Sequence, residues 1–140
     1  MVEVLSSHRV RCHTAIAVWI VIFVGLSAKF YTGPGREFVN DWGPASVAYE
    51  LFFMLLVFFW VPRSSAILPT AVTVCLMTCC VECFQLWQPL WLQAIRSTLG
   101  GKILLGHQFS WWDFPAYPIG CVCGWLLLHW IVRDCERASR

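Results

Sequence analysis

The sequence predicts an all-α, polytopic membrane protein: one domain of 140 residues with four transmembrane helices. Hydrophobic residues make up 59% of the chain and charged residues only 13%, and the mean hydropathy is +0.65. A soluble domain carries about 25% charged residues, and half of that charge does not cover the large surface of a small globule. The net charge of +2 also argues against a basic surface, so no nucleic-acid partner is expected.

Four long apolar runs give the predicted spans, at residues 14–31, 43–61, 66–88 and 114–132. The first is free of charge until Lys29, whose side chain can extend to the membrane surface. The second and third each contain one carboxylate, Glu50 and Glu82, and the fourth contains no charged residue. Because the runs are continuously apolar rather than alternating, helices are predicted instead of barrel strands.

The connection between the third and fourth spans, from Pro89 to Trp112, is predicted to be interfacial or re-entrant. Apolar triplets in this segment flank Arg96 and the Gly100-Gly101 pair. Tryptophan rings favour the headgroup layer. Four tryptophans are expected to mark that depth: Trp87, Trp91, Trp111 and Trp112.

Basic residues predict the orientation. An even number of spans places both termini on one side of the membrane, together with Arg9, Arg11, Arg63, Arg133, Arg137 and Arg140. The other side holds Lys29, Arg36, Arg96 and Lys102. Since positive residues favour the cytoplasmic side, six against four predicts cytoplasmic termini.

The few remaining polar residues are expected to converge in the outer half of the bundle. At about 1.5 Å of rise per residue, Glu50 lies about 10 Å and Glu82 about 9 Å below the outer surface. Gln85 shares a helix face with Glu82, Asp113 opens the fourth span, and Arg96 lies in the covering loop with Lys102. Two interpretations remain open: a polar pocket that receives a headgroup, ion or small amphiphile, and an interhelical polar clamp.

Small residues recur every four positions in the fourth span, at Ala116, Gly120 and Gly124. This spacing predicts a helix face that another backbone approaches closely. It does not say whether the partner is a helix of the same chain or of another subunit.

The order of the polar motifs resembles the VanZ-like group of small four-helix membrane proteins. The motifs are Glu82-x-x-Gln85, then Arg96, then Asp113-x-x-x-Tyr117-x-x-Gly120. The segment from Gly100 to Gly120 is more similar still to a bacterial branch known as a domain of unknown function. The resemblance implies a four-helix fold and, for a few members, glycopeptide-antibiotic tolerance. It implies no established reaction.

The cysteines and histidines give weaker evidence for a redox, metal or pigment site. Cys80-x-x-Cys83 has a redox spacing, but both predicted outer loops lack the shuttle cysteines that such enzymes need, so inert packing is expected. No metal site is predicted, because neither a second cysteine pair nor a nearby histidine completes one. His13 and His129 would both lie near the cytoplasmic surface and could serve as axial ligands, which leaves a haem- or chlorin-binding subunit as one alternative.

The expected function is a non-catalytic membrane subunit that packs against lipids and protein partners in a larger assembly. No recognisable catalytic set is present, and the segments between the predicted spans are too short or too apolar to form an extramembrane domain. The alternative is a VanZ-like protein that binds a lipid or antibiotic in an outward-facing polar pocket. The expected location is a bacterial inner membrane.

Overall fold

A computed structural model of the chain describes residues 2–39, 43–87, 89–101 and 109–138. Over these residues the fold is helical and contains no strand, which confirms the predicted all-α class. The helices are α1 (Val2–Lys29), α2 (Pro44–Trp60), α3 (Ile67–Gln85), α4 (Leu90–Ser97) and α5 (Asp113–Arg137), with a 3₁₀ turn at Ser64–Ala66.

The four long helices form a bundle in which α2 and α5 are central. Each of these two contacts the other and also α1 and α3. The short connection from Trp60 to the 3₁₀ turn makes α2 and α3 antiparallel neighbours. The chain therefore traverses the bundle four times.

Both termini lie at the same end of the bundle, here called the terminal end. The Arg9 side chain donates a hydrogen bond to the carbonyl of Ala138 at 3.0 Å, and His13 Nδ1 lies 3.5 Å from Cys135 Sγ. The opposite end holds the loop between α1 and α2, the end of α3 and the start of α5. The first and last helices therefore meet at the terminal end.

An apolar core fills the half of the bundle nearest the terminal end. Met54, Leu55 and Phe58 of α2 are fully buried there against side chains from the other three long helices. Those side chains are Val10, Ile67, Ala71, Leu128, Ile131, Val132 and Cys135. The polar side chains singled out from the sequence lie instead toward the opposite end.

In the described part of the chain, three helices are long and apolar enough to cross a membrane: Ser7–Lys29 within α1, Ser64–Gln85 including the 3₁₀ turn, and Asp113–Arg137. The α2 helix is apolar but has only 17 residues. At ~1.5 Å per residue its length is about 26 Å, compared with about 30 Å for a hydrocarbon core.

The helix ends follow local sequence signals. Pro44 occupies the first turn of α2, where a missing amide proton costs no helical bond, and Pro62 follows its end. Gly35 has a φ of 73° in the loop before α2, a conformation that glycine adopts without strain. The first and last helices, α1 and α5, extend past the predicted spans 14–31 and 114–132 at the terminal end, because polar residues that end an apolar run do not end a helix.

Candidate functional site

Glu82 is the centre of a buried hydrogen-bond network at the opposite end of the bundle. Its Oε1 accepts a bond from the backbone N–H of Ser110 at 2.7 Å. Its Oε2 accepts one from the Tyr117 hydroxyl and one from Gln85 Nε2, both at 3.0 Å. The carboxylate is 1% exposed, so three donors replace the water that burial removes. The network joins α3 to α5 and to the residues that precede α5.

Arg96 binds the carboxyl-terminal end of α3. Its Nη2 donates to the carbonyl of Phe84 at 3.1 Å, and its Nη1 lies 3.4 Å from the carbonyls of Gln85 and Trp87. The last carbonyls of a helix have no partner within it and carry a partial negative charge, which a guanidinium neutralises. Arg96 therefore ties the amphipathic helix α4 to the end of α3. Lys102, its expected neighbour, lies outside the described residues.

Loss of this cap is expected to destabilise the protein. Arg96→Gln should lower the free energy of unfolding by about 1–2 kcal/mol, because it removes a charged donor from three carbonyls. Arg96→Lys should recover part of the loss, since a single ammonium group keeps the charge but not the fork of donors. Thermal unfolding in detergent measures both changes. The exposed Arg63→Gln is the matched control, and an equal effect there would contradict the capping role.

Glu50 lies deeper, where α2 meets α5. It is fully buried, and its Oε1 lies 2.9 Å from Cys121 Sγ, which donates to it. Its Oε2 has no hydrogen-bond partner within the described residues. Thr78 approaches this carboxylate, but its hydroxyl donates to the carbonyls of Val74 and Cys75 in its own helix. Glu50 is thus the least satisfied carboxylate of the cluster.

Asp113 opens α5, as expected, and its Oδ1 accepts a bond from the Ser46 hydroxyl at 2.7 Å. A carboxylate in the first turn is favourable because the amino-terminal end of a helix carries partial positive charge. The Ser46 contact joins the start of α5 to the start of α2.

The small residues of the fourth span pack against a helix of the same chain. Ala116, Gly120 and Gly124 are all buried in α5. A Cβ atom on Gly120 would lie 2.7 Å from Glu50 Cβ and 3.2 Å from the carbonyl oxygen of Val47. The face therefore receives α2, which answers the question that the spacing left open.

The two histidines face different surroundings. His13 Nδ1 lies 2.9 Å from the carbonyl of Arg9 and 3.5 Å from Cys135 Sγ, between α1 and α5. His129 Nδ1 lies 3.0 Å from the carbonyl of Trp125, and the two rings have centroids 4.3 Å apart. Each ring thus has one nitrogen beside a carbonyl of its own helix.

The polar residues predicted from the sequence form three hydrogen-bonded groups. The first consists of Glu82, Gln85 and Tyr117, the second pairs Glu50 with Cys121, and the third pairs Asp113 with Ser46. Arg96 joins the first through the backbone of Gln85. The sequence does not single out Ser46, Ser110 or Cys121. Ser110 contributes its backbone N–H, which any residue but proline has, and nothing in an apolar sequence indicates which side chain a serine or cysteine will contact.

Comparison with known proteins identifies the family. A family model described as a protein of unknown function, DUF2809, matches residues 36–121, which is more than half of the chain. No curated protein and no solved structure shows significant similarity to this chain. The match includes α2, α3, α4 and the part of α5 that carries Asp113, Tyr117 and Gly120. The chain belongs to the DUF2809 family of proteins of unknown function.

Proposed function

We propose that the protein is a non-catalytic subunit of the bacterial inner membrane that packs against lipids and protein partners in a larger assembly. The supporting observation is that its buried polar side chains bind one another and the backbone. Glu82 accepts from three donors, and Arg96 donates to three carbonyls. Such groups fix how helices pack, and groups used in this way are not free for a reaction.

The outward faces of the bundle suit apolar neighbours. Trp19 and Phe23 of α1 lie one turn apart and are 72% and 74% exposed. The exposed large hydrophobic residues of the other long helices include Leu68, Val72, Leu76 and Met77 on α3, and Ile119, Val122, Leu126 and Trp130 on α5. In water this surface would drive aggregation, whereas lipid tails or partner helices cover it without cost.

In this proposal all four long helices span the membrane and the termini are cytoplasmic. The α2 helix is short but lies between α1, α3 and α5, so few of its residues need to reach lipid. A span shorter than the bilayer is accommodated by local thinning at modest cost. In the same proposal helix α4 lies in the interface, where the exposed rings of Trp87, before the helix, and Trp91, in its first turn, would reach headgroup depth.

Purification under mild conditions tests the proposal. The full chain, tagged at one terminus and extracted with its surrounding lipid, should retain a membrane-protein partner in a fixed stoichiometry. Quantitative mass spectrometry and light scattering measure this ratio. Replacing Trp19 and Phe23 by Leu keeps the α1 face apolar but changes its shape, so partner loss in this variant would locate the contact. A stable, partner-free monomer from native membranes would overturn the proposal.

A second candidate is a VanZ-like protein that holds a lipid headgroup or antibiotic at the polar end. Two atoms of the network support it: Gln85 Oε1 and Arg96 Nε are buried without a hydrogen-bond partner in the described part of the chain. The first atom is an acceptor and the second a donor, so together they would suit a ligand that both donates and accepts. Retention of one lipid species at a fixed ratio in the same preparation would favour this candidate. A Soret or chlorin absorption band there would instead favour a pigment-binding subunit with His13 and His129 as ligands.

A further inference from the structure

The geometry points to a binding site for a thiophilic metal cation such as Zn²⁺, formed by Glu50, Cys75 and Cys121 in the core of the bundle. The three residues come from α2, α3 and α5 respectively, so the site would join three of the four long helices. It lies outside the network around Glu82. The inference is independent of the proposed subunit role, because either can fail without the other.

The ligand atoms are already close together. One carboxylate oxygen of Glu50 and the two Sγ atoms all lie within 4.8 Å of one another. Zinc binds thiolate sulfur at about 2.3 Å and carboxylate oxygen at about 2.0–2.2 Å, so ligand atoms of a tetrahedral site are about 3.5–4 Å apart. Small rotations of the side chains would therefore bring the three atoms to binding distance.

An unpartnered oxygen indicates that something further belongs at this position. Glu50 is 0% exposed, and its Oε2 has no hydrogen-bond partner among the described residues. Buried polar atoms are nearly always partnered, because an unmade bond leaves the full cost of desolvation. A cation bound to this carboxylate would remove that cost. A structural role in helix packing alone does not explain why the oxygen is left unmatched.

The chemistry of the ligands selects the class of metal. Two sulfurs and one carboxylate oxygen suit Zn²⁺, whereas Ca²⁺ and Mg²⁺ require a larger set of oxygen ligands. On binding, each thiol exchanges its proton for a sulfur–metal bond, so two protons leave as two positive charges arrive. The net charge of the core is thereby unchanged. Cys79, half-buried one helical turn after Cys75, is spaced to supply a fourth ligand.

This site differs from the sequence-based expectation, which found no metal-ligand pattern. The Cys80-x-x-Cys83 pair that drew attention has both of its cysteines exposed, on the outward side of α3. The ligands of the inferred site are isolated residues in three different apolar runs. Only the packing of the helices brings them together.

Cobalt titration of the purified full-length protein tests the inference. The protein is kept reduced in detergent or nanodiscs, without chelator, and Co²⁺ is added while absorption is recorded. We expect one Co²⁺ per chain, with a thiolate-to-metal charge-transfer band that Zn²⁺ displaces. Cys75→Ser and Cys121→Ser should each weaken binding at least about tenfold, because a hydroxyl is a poor ligand for a soft metal. Glu50→Gln should weaken binding while the charge-transfer band remains.

Matched controls come from the same helices. Cys80 and Cys123 are exposed on α3 and α5, so Cys80→Ser and Cys123→Ser should leave binding unchanged. Circular dichroism and elution volume confirm that each variant is folded before it is titrated. The inference fails if folded wild-type protein gives no charge-transfer band. It also fails if the band persists in the Cys75→Ser/Cys121→Ser double variant, or if the control substitutions abolish it equally.

Discussion

Gly120→Ala is expected to destabilise the protein by about 1–3 kcal/mol, although alanine is the better helix former. The added methyl group would lie 2.7 Å from Glu50 Cβ, 3.0 Å from Glu50 Cγ and 3.2 Å from the carbonyl oxygen of Val47. Glu50 Cβ and the Val47 carbonyl oxygen move only with the α2 backbone, so rotation of the Glu50 side chain, which would shift Cγ, does not relieve the overlap. The two central helices must move apart, and every contact along their interface weakens.

Two other glycines provide a graded comparison. At Gly124 an added Cβ would meet the Met54 sulfur at 2.5 Å, but a thioether near the end of a flexible side chain can move, so the loss should be smaller. At Gly25 the nearest atom is Ala48 Cβ at 3.4 Å, an ordinary contact. Gly25→Ala should therefore be neutral or stabilising by up to about 1 kcal/mol.

Thermal or denaturant unfolding of the three variants in one detergent measures this order. Loss of stability should follow the series Gly120→Ala, Gly124→Ala and Gly25→Ala, with far-ultraviolet circular dichroism showing that helix content is retained in each. Equal stability of Gly120→Ala and Gly25→Ala would show that α2 and α5 do not pack through this face.

The all-α class of this protein and the positions of its helices could be predicted from local sequence patterns. Apolar runs predict where helices lie, because each helix satisfies its own backbone, and the spacing of Gly120 and Gly124 predicts a close approach. The ends of the helices were less predictable. The helix α5 continues to Arg137, since nothing in the sequence from Val132 to Arg137 opposes a helix outside lipid.

Which polar residues contact one another could be predicted only in part, because the contacts depend on how the helices are rotated against each other. Glu82 and Gln85 share a face whatever the fold, and their contact follows directly. The partners of Glu50 depend on the rotation of α5 about its axis, which places Cys121 beside the carboxylate. Arg96 was expected near the carboxylates, but a helix end offers three carbonyls, and no sequence pattern separates these two kinds of partner.

Glu82→Ala is expected to cost about 3–5 kcal/mol of stability. The substitution leaves three donors at the opposite end of the bundle without their acceptor: the N–H of Ser110, the hydroxyl of Tyr117 and the amide of Gln85. Each buried donor left unpaired costs about 1–3 kcal/mol, and part of the cost is recovered where water enters the vacated space. Glu82→Gln, which keeps one acceptor oxygen, should lose less.

The double-mutant cycle of Glu82→Ala with Tyr117→Phe separates the contact from the cavity. Tyr117→Phe alone removes one donor and should cost about 1–3 kcal/mol. If the hydroxyl acts through Glu82, the double variant should lose less than the sum of the single losses, with a coupling of about 1 kcal/mol or more. Thr78→Val on the same helix is the control, since its hydroxyl donates to the carbonyls of Val74 and Cys75 and supplies none of the three bonds to Glu82.

These stability effects also distinguish a clamp from a pocket. A clamp holds α3 against α5, so its loss should lower stability by the same amount whether or not lipid extract is present. A pocket residue contributes through its ligand, and its substitution should remove the stabilisation that a bound headgroup adds while changing the ligand-free protein less. Unfolding of wild type and Glu82→Gln, each with and without the retained lipid, measures that difference. We expect the same loss in both conditions, because all three donors to Glu82 are supplied by the chain itself.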